Sequence, residues 1–307
     1  TKREPKMNIT TTVASIAIMS SVAGTAAADV FSDWNLVVRN DLHITSEVDG
    51  SAMIGGSVFG TSNYAVQGVT SSTGDGLVVG GNLAAGSNYQ INNGGNLRIS
   101  GNINGNANLN GGGSTINDAG VASMVNNAMN QAAGLSDYFG GFSATGTVDG
   151  AGNMNVSSTT IVDSQNVAFF SLNQSSIAGL GQLNLNFGSA DTVVINFDAA
   201  ASGGIANFNA PPNLIGGFNQ NNSTRIVWNF LNTTELNINN SFNGMVLATD
   251  AELNLFGGGL NGSVFVDSVA TMNAEIRRHT YTGAIPTPGS LALLSISGIV
   301  ATRRKRA

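Results

Sequence analysis

Apolar residues along this chain fall in short runs broken by glycine and asparagine. Leu183-Asn184-Leu185-Asn186-Phe187 and Leu236-Asn237-Ile238 alternate strictly, and Leu77-Val78-Val79, Leu97-Arg98-Ile99 and Val193-Val194-Ile195-Asn196-Phe197 are comparably short. A period of two over so few residues predicts strands. Gly-Asn pairs recur just before apolar residues, at Gly81-Asn82-Leu83, Gly95-Asn96-Leu97, Gly101-Asn102-Ile103 and Gly105-Asn106-Ala107. Both residue types tolerate the left-handed turns that link short strands. The pattern predicts a mainly β fold, a right-handed β-solenoid whose coils stack strand on strand, with buried asparagines laddering along the axis. The Gly-Asn-apolar sites are 14, 6 and 4 residues apart, which is no strict repeat. A β-sandwich therefore stands as the competing architecture.

One segment has a different period. Asp118 to Phe139 places Val121, Met124, Val125, Ala128, Met129, Ala132 and Leu135 at helical spacing. Asn117 or Asp118 can cap its start, and Gly134 or Gly140 can end it. The expected result is one α-helix flanking the solenoid, its methionines in the core.

The two ends of the chain follow neither pattern. Lys2, Arg3 and Lys6 precede a weakly apolar stretch, Val13 to Val22, and Ala26-Ala27-Ala28 offers a small-residue cleavage site at Ala26 and Ala28. This order predicts a secretory signal peptide over 1–28. At the other end Pro286-Thr287-Pro288-Gly289 leads into a 13-residue apolar run, Ser290 to Thr302, then Arg303, Arg304, Lys305 and Arg306. As a helix that run is about 20 Å long against roughly 30 Å of hydrocarbon, and the basic stems can snorkel to extend it. The basic stop would stay cytoplasmic, placing the rest of the chain outside. The tail over 285–307 resembles the PEP-CTERM sorting signal of Gram-negative bacteria, with Thr287 where the usual glutamate stands. The resemblance implies an exosortase-like sorting enzyme as partner, an inner-membrane contact that is transient or stable, and export to the cell surface or extracellular matrix, with the biofilm matrix as one setting.

Between these ends, 29–284 is predicted to be the folded domain. It keeps five arginines, no lysine and seventeen carboxylates, a net charge of −12. That field repels nucleic acid and anionic membranes. Cysteine is absent, so neither disulfides nor thiolate chemistry contribute. Glycine and asparagine number 40 each.

Thr224 to Val269 carries further motifs. Val227-Trp228-Asn229-Phe230, Gly244-Met245-Val246-Leu247-Ala248-Thr249-Asp250-Ala251 and Asn261-Gly262-Ser263-Val264 follow one another, after an opening with Trp34 and Gly55-Gly56-Ser57-Val58. In this order they resemble the choice-of-anchor A family of bacterial exported proteins, with Thr249 and Asp250 in place of Pro and Asn. The resemblance implies a secreted or surface-displayed, adhesive-like domain.

Candidate chemistry is sparse. The only histidines are His43 and His279, and Asp41, His43 and Ser46 are too local in sequence to form a triad. Asp149 to Asn155 lacks the alternating acids of a calcium loop and reads as a turn. Gly111-Gly112-Gly113 lacks a phosphate-loop lysine. No catalytic, cofactor or metal residue is assigned. No acidic cluster is visible, although calcium could still join surface carboxylates to an anionic polymer. Trp34, Trp228, Tyr64, Tyr89, Tyr138 and Tyr281 could form a carbohydrate-stacking face or core. Thr159-Thr160, Thr192 and Thr233-Thr234 are not spaced as an ice-ordering ladder. The expected function is that of a non-enzymatic, adhesive or structural surface or matrix protein whose partner is an extracellular polysaccharide or a protein surface. A carbohydrate-binding module and a polysaccharide-active β-helix enzyme are the alternatives. An aromatic stripe would favour glycan stacking, and a bare polar face would favour architecture.

Overall fold

The alternating segments are strands, and they stack in parallel. The computed structural model describes residues 27–286. In one direction Leu36 pairs with Ala52, Ala52 with Leu77, Leu77 with Leu97 and Leu97 with Thr115, so successive coils advance by 16, 25, 20 and 18 residues. A second series joins Val167 to Thr192, Val193 to Ile226, Val227 to Met245 and Val246 to Val264, advancing by 25, 33, 18 and 18 residues. Unequal coils hide the repeat from a spacing count. Among the described residues, antiparallel pairing joins only Gly146–Val148 to Asn153–Val156 and Thr160–Val162 to Gln165–Asn173. The ladders are those of a β-solenoid-like stack, not of an antiparallel sandwich.

The order of the coils is not the order of the sequence. Leu36–Val38 pairs on one side with Ala52–Ile54 and on the other with Val264–Met272, so the first coil lies against the last. The chain builds outward to Thr115–Asn117, crosses to the far end of the stack, and builds back. Helix α2 (Val121–Gly140, 20 residues) makes the crossing. It is about 30 Å long, against roughly 48 Å for the ten strand spacings between the two ends.

This helix explains why the strands beneath it are apolar on both sides. Leu36, Ile54, Leu77, Leu97, Ile195, Trp228, Val246 and Val264 point into the solenoid core. Their neighbours Val37, Met53, Val78, Val194, Val227, Leu247 and Phe265 point outward, onto Val125, Ala128, Met129, Ala132, Leu135 and Phe139 of α2. A parallel sheet covered on both faces reads as a continuous hydrophobic run rather than an alternating one. Phe31 of the short helix α1 (Ala27–Asp33) joins the same layer, its ring 5.2 Å from Phe265.

The start of the helix differs from expectation, while its end falls at one of the two expected glycines. Gly120 occupies the N-cap with no side-chain cap bond, and α2 runs through Gly134 to end at Gly140. Asp118 instead accepts from the Gly120 N–H at 2.7 Å and from Arg98 at 2.9 Å. Arg98 also pairs with buried Asp75 at 2.9 Å, tying the start of the helix to the sheet. At its C-terminus two buried asparagines complete the attachment. Asn196 Nδ2 donates to the Phe139 carbonyl and Asn229 Nδ2 to the Ser136 carbonyl, both at 2.9 Å, and Asn229 also donates to Asn196 Oδ1 at 2.8 Å. In the Val-Trp-Asn-Phe segment, Trp228 and Phe230 therefore fill the core while Asn229 holds the helix.

Two further buried asparagines ladder at 2.9 Å, Asn261 onto Asn243. Most other asparagine ladders lie toward the surface, where their amides remain accessible. Coil corners use glycine for close approach: a Cβ on Gly80 would run into the carbonyl oxygen of Gly55, and one on Gly55 into that of Arg39. Among the described residues no helix is long and apolar enough to cross a membrane, and the apolar tail lies outside them.

Candidate functional site

Of the outward surfaces of the stack, α2 covers one. Among the described residues, two others are open over much of their area. The first is the outer side of a seven-stranded sheet, and its register puts residues distant in sequence into straight rows. Ile276 pairs with Val48, Glu47 with Asn63, Asn63 with Gln90, and Asn108 with Gln90. Glu275, Glu47, Asn63, Gln90 and Asn108 therefore form one transverse row. Tyr64, Ile91 and Leu109 pair in the same register, which carries Asn92 and Asn110 into a parallel row. Because side chains alternate along each strand, the residues between these rows enter the core: Val48, Tyr64, Tyr89 and Ile91 are fully buried.

The amides in these rows hold one another. Asn108 donates to Asn88 Oδ1 at 2.7 Å, Gln90 to the same oxygen at 3.1 Å, and Asn110 to Gln90 Oε1 at 2.9 Å and Asn92 Oδ1 at 3.0 Å. Asn93 donates to the carbonyls of Ala65 and Val66 at 2.7 and 3.0 Å. Asn63, Asn92, Asn93, Asn110, Val66 and Gly111 line a shallow hollow of about 540 Å³. Each primary amide has two donors and an acceptor with two lone pairs, so a laddered amide keeps hydrogen-bonding capacity for a polar polymer. The ladder also fixes side-chain rotamers before contact, which lowers the ordering cost of binding. At one end of the row the amides give way to Glu47, Asp49 and Glu275.

The second bare surface carries the ladder Asn207–Asn237–Asn254, with bonds of 2.9 and 3.1 Å. Glu235 and Glu252, paired across adjacent strands, run beside it. Farther along, His43 stacks on Phe59 with ring centroids 4.5 Å apart, between hollows of about 260 and 280 Å³. Its charges and rings make it a less uniform surface than the amide sheet.

The residues singled out from sequence separate clearly. Trp34, Trp228, Tyr64, Tyr89 and Tyr281 are buried, so they form core and no stacking stripe. Tyr138 packs on Phe139 and Phe142. Asp41 accepts from the Ser57 N–H, and His43 turns to Phe59, so no Asp-His-Ser triad assembles. Burial, then nearby Arg277, lowers the pKa of His279. Asp149 accepts from Ala151 and Asn153 of its own loop, all at 2.9 Å, which lowers its pKa and makes the segment a hairpin turn. Thr192 is buried against Gln165 and away from any bare face. Three arginines of the domain are engaged as well. Arg225 lies 4.3 Å over the Phe187 ring, Arg277 bonds Glu275, and Arg278 bonds the Gln67 carbonyl. Of the sorting-signal residues, Pro286 is buried, whereas Thr287, Pro288, Gly289, Arg303, Arg304, Lys305 and Arg306 lie outside the described residues. Ala26 also lies outside them, and Ala28 stands in the first turn of α1.

The model of one protein family, described as "Putative Ice-binding-like adhesive domain", matches residues 27–278. No curated protein matches the chain. Among solved structures, an ice-binding protein from the Antarctic ascomycete Antarctomyces psychrotrophicus aligns at a TM-score of 0.36 and 15% identity, covering 83% of this chain and 98% of that one. An ice-binding protein from an Antarctic biological consortium gives 0.32 and 12%, covering 81% and 87%. The domain of ice-binding protein 1 of Shewanella frigidimarina gives 0.33 and 13%, covering 84% and 97%.

Proposed function

The chain belongs to the family of ice-binding-like adhesive domains, and we infer that it is a non-enzymatic adhesive or structural protein of the cell surface or extracellular matrix, making contact through its amide sheet. The observation that carries this reading is the set of rows Asn63–Gln90–Asn108 and Asn92–Asn110, interlocked through Asn110, on a part of the sheet that no other described residues cover. Such a face suits hydroxyl- and amide-rich partners, an extracellular polysaccharide or a protein surface. Buried aromatics and a polar exterior favour hydrogen-bonded architecture over ring stacking. The charge of −12 over 29–284 disfavours nucleic acid.

The ends of the chain complete the proposal. Residues 1–28 act as an export leader, with cleavage directed by Ala26 and Ala28. Residues 29–284 form the adhesive unit, of choice-of-anchor A type and wound right-handed, the hand that parallel crossover connections adopt. Residues 285–307 act as a PEP-CTERM-like tail, presented to an exosortase-like enzyme at the inner membrane.

The test is adhesion of cells displaying the full chain to immobilised exopolysaccharide. Gln90→Ala combined with Asn110→Ala should cut retention about fivefold or more while the far-ultraviolet spectrum stays unchanged. Wild-type retention by that variant would overturn the amide face as the contact surface. Steady release of reducing or unsaturated ends would overturn the non-enzymatic reading. The family's description also supports an ice-binding reading. Thermal hysteresis from the full chain, lost on substituting Asn237 but not Gln90, would favour that reading and the second surface.

A further inference from the structure

We propose that Glu47, Asp49 and Glu275 form a calcium site that fastens the last coil to the first. Their carboxylates come from opposite ends of the domain. Glu47 lies in the strand Glu47–Val48, Asp49 follows it, and Glu275 immediately precedes the strand Ile276–Arg277. The pairing of Ile276 with Val48 brings them together, and one oxygen from each lies within 4.8 Å of the other two.

Crowded acids alone would say little. The decisive feature is Asp49. Its side chain is buried, with 5% of its surface exposed, yet its Oδ1 has no hydrogen-bond partner. Its other oxygen accepts only from the Arg278 N–H, at 3.2 Å. A buried carboxylate oxygen without a donor costs several kcal/mol unless a cation neutralises it.

The partners of the other two acids leave room for a dication. Glu275 bonds Arg277 at 2.8 Å, and Glu47 has only a long contact from Asn63 at 3.4 Å. The Arg278 guanidinium is turned away to the Gln67 carbonyl. Three carboxylates against one paired guanidinium leave a local charge of −2. The donors are all hard oxygens, which excludes a thiolate-type metal and fits Ca²⁺ with water completing its shell. Magnesium, which demands tighter octahedral geometry, should bind more weakly.

Isothermal titration of the full chain with CaCl₂ tests the site, with thermal unfolding read in parallel. The expected Kd is on the order of 10⁻⁴–10⁻³ M, as for extracellular calcium modules. Saturating calcium should raise the Tm by about 3–6 °C over chelated protein. Asp49→Asn should weaken binding at least tenfold and abolish the calcium-dependent rise, while leaving the calcium-free Tm equal or higher because like-charge repulsion is relieved. Glu275→Gln should weaken binding similarly, and Asp137→Asn, on α2, should change nothing. If Asp49→Asn does not fold, Glu47→Gln, at a partly exposed position, supplies the same comparison. The absence of saturable binding up to 10 mM calcium, or wild-type affinity in Asp49→Asn or Glu47→Gln, would overturn the proposal.

Discussion

Replacing Asn229 with alanine tests how the crossing helix is held. The Asn229 carboxamide donates to the Ser136 carbonyl at 2.9 Å and to Asn196 Oδ1 at 2.8 Å, all within the buried layer between sheet and helix. Losing a donor to a buried acceptor costs about 1–3 kcal/mol each. Asn229 Oδ1 is itself buried without a partner, so truncation also removes one unsatisfied atom and returns on the order of 1 kcal/mol. The net loss should be about 2–3 kcal/mol. For a domain of this size that corresponds to a fall in Tm of about 5–10 °C. Urea unfolding monitored by circular dichroism would measure it, with Asn237→Ala as comparison. Asn237 belongs to a half-buried ladder that water can replace, so its loss should cost under about 1 kcal/mol. Asn196→Ala and Asn229→Ala together should destabilise by less than the sum of the two, because they share a bond. A loss at Asn229 no larger than at Asn237 would refute the reasoning and leave apolar packing alone to dock α2.

Other expectations follow from the same geometry. Gly80→Ala should destabilise by about 2–4 kcal/mol, since its methyl meets the Gly55 carbonyl, whereas Gly86→Ala, with φ +77 and open space around it, should cost only about 1 kcal/mol; equal effects in urea titrations would contradict the corner packing. The carboxyls of Asp118, Asp191 and Asp198 are held below their ordinary range, the first mainly by the Gly120 N–H, the second by the Asn166 N–H and the third by the Asn232 amide. Their folded forms bind fewer protons than the unfolded chain, so their contribution is complete above about pH 4 and is lost as pH falls through the folded values. Asp191→Asn should lower the neutral-pH urea midpoint and flatten its acid decline, and an unchanged acid profile would argue against this assignment. Replacing Arg303, Arg304, Lys305 and Arg306 with glutamine should reduce inner-membrane retention; unchanged fractionation and tail processing would count against the sorting proposal.

Local structure follows from the order of residues alone. Leu183 to Phe187 and Leu236 to Ile238 had to be strands with one apolar side, because side chains alternate along an extended backbone. Val121 to Leu135 had to be a helix with one apolar stripe. The solenoid's interlocked surface was also partly legible, since Asn88-Tyr89-Gln90-Ile91-Asn92 and Asn106-Ala107-Asn108-Leu109-Asn110 repeat the same polar-apolar alternation 18 residues apart. Counting Gly-Asn sites missed this, because several turns of each coil carry the same pair and neighbouring coils differ in length. Which distant residues meet is set by the stacking of the coils. The last coil stacks on the first because α2 carries the chain from one end of the stack to the other, and no local pattern records that reversal. It placed Asn229 beneath a helix nearly a hundred residues earlier, and it set Glu275 beside Glu47 and Asp49, three carboxylates that form a cluster only once the ends of the domain have paired.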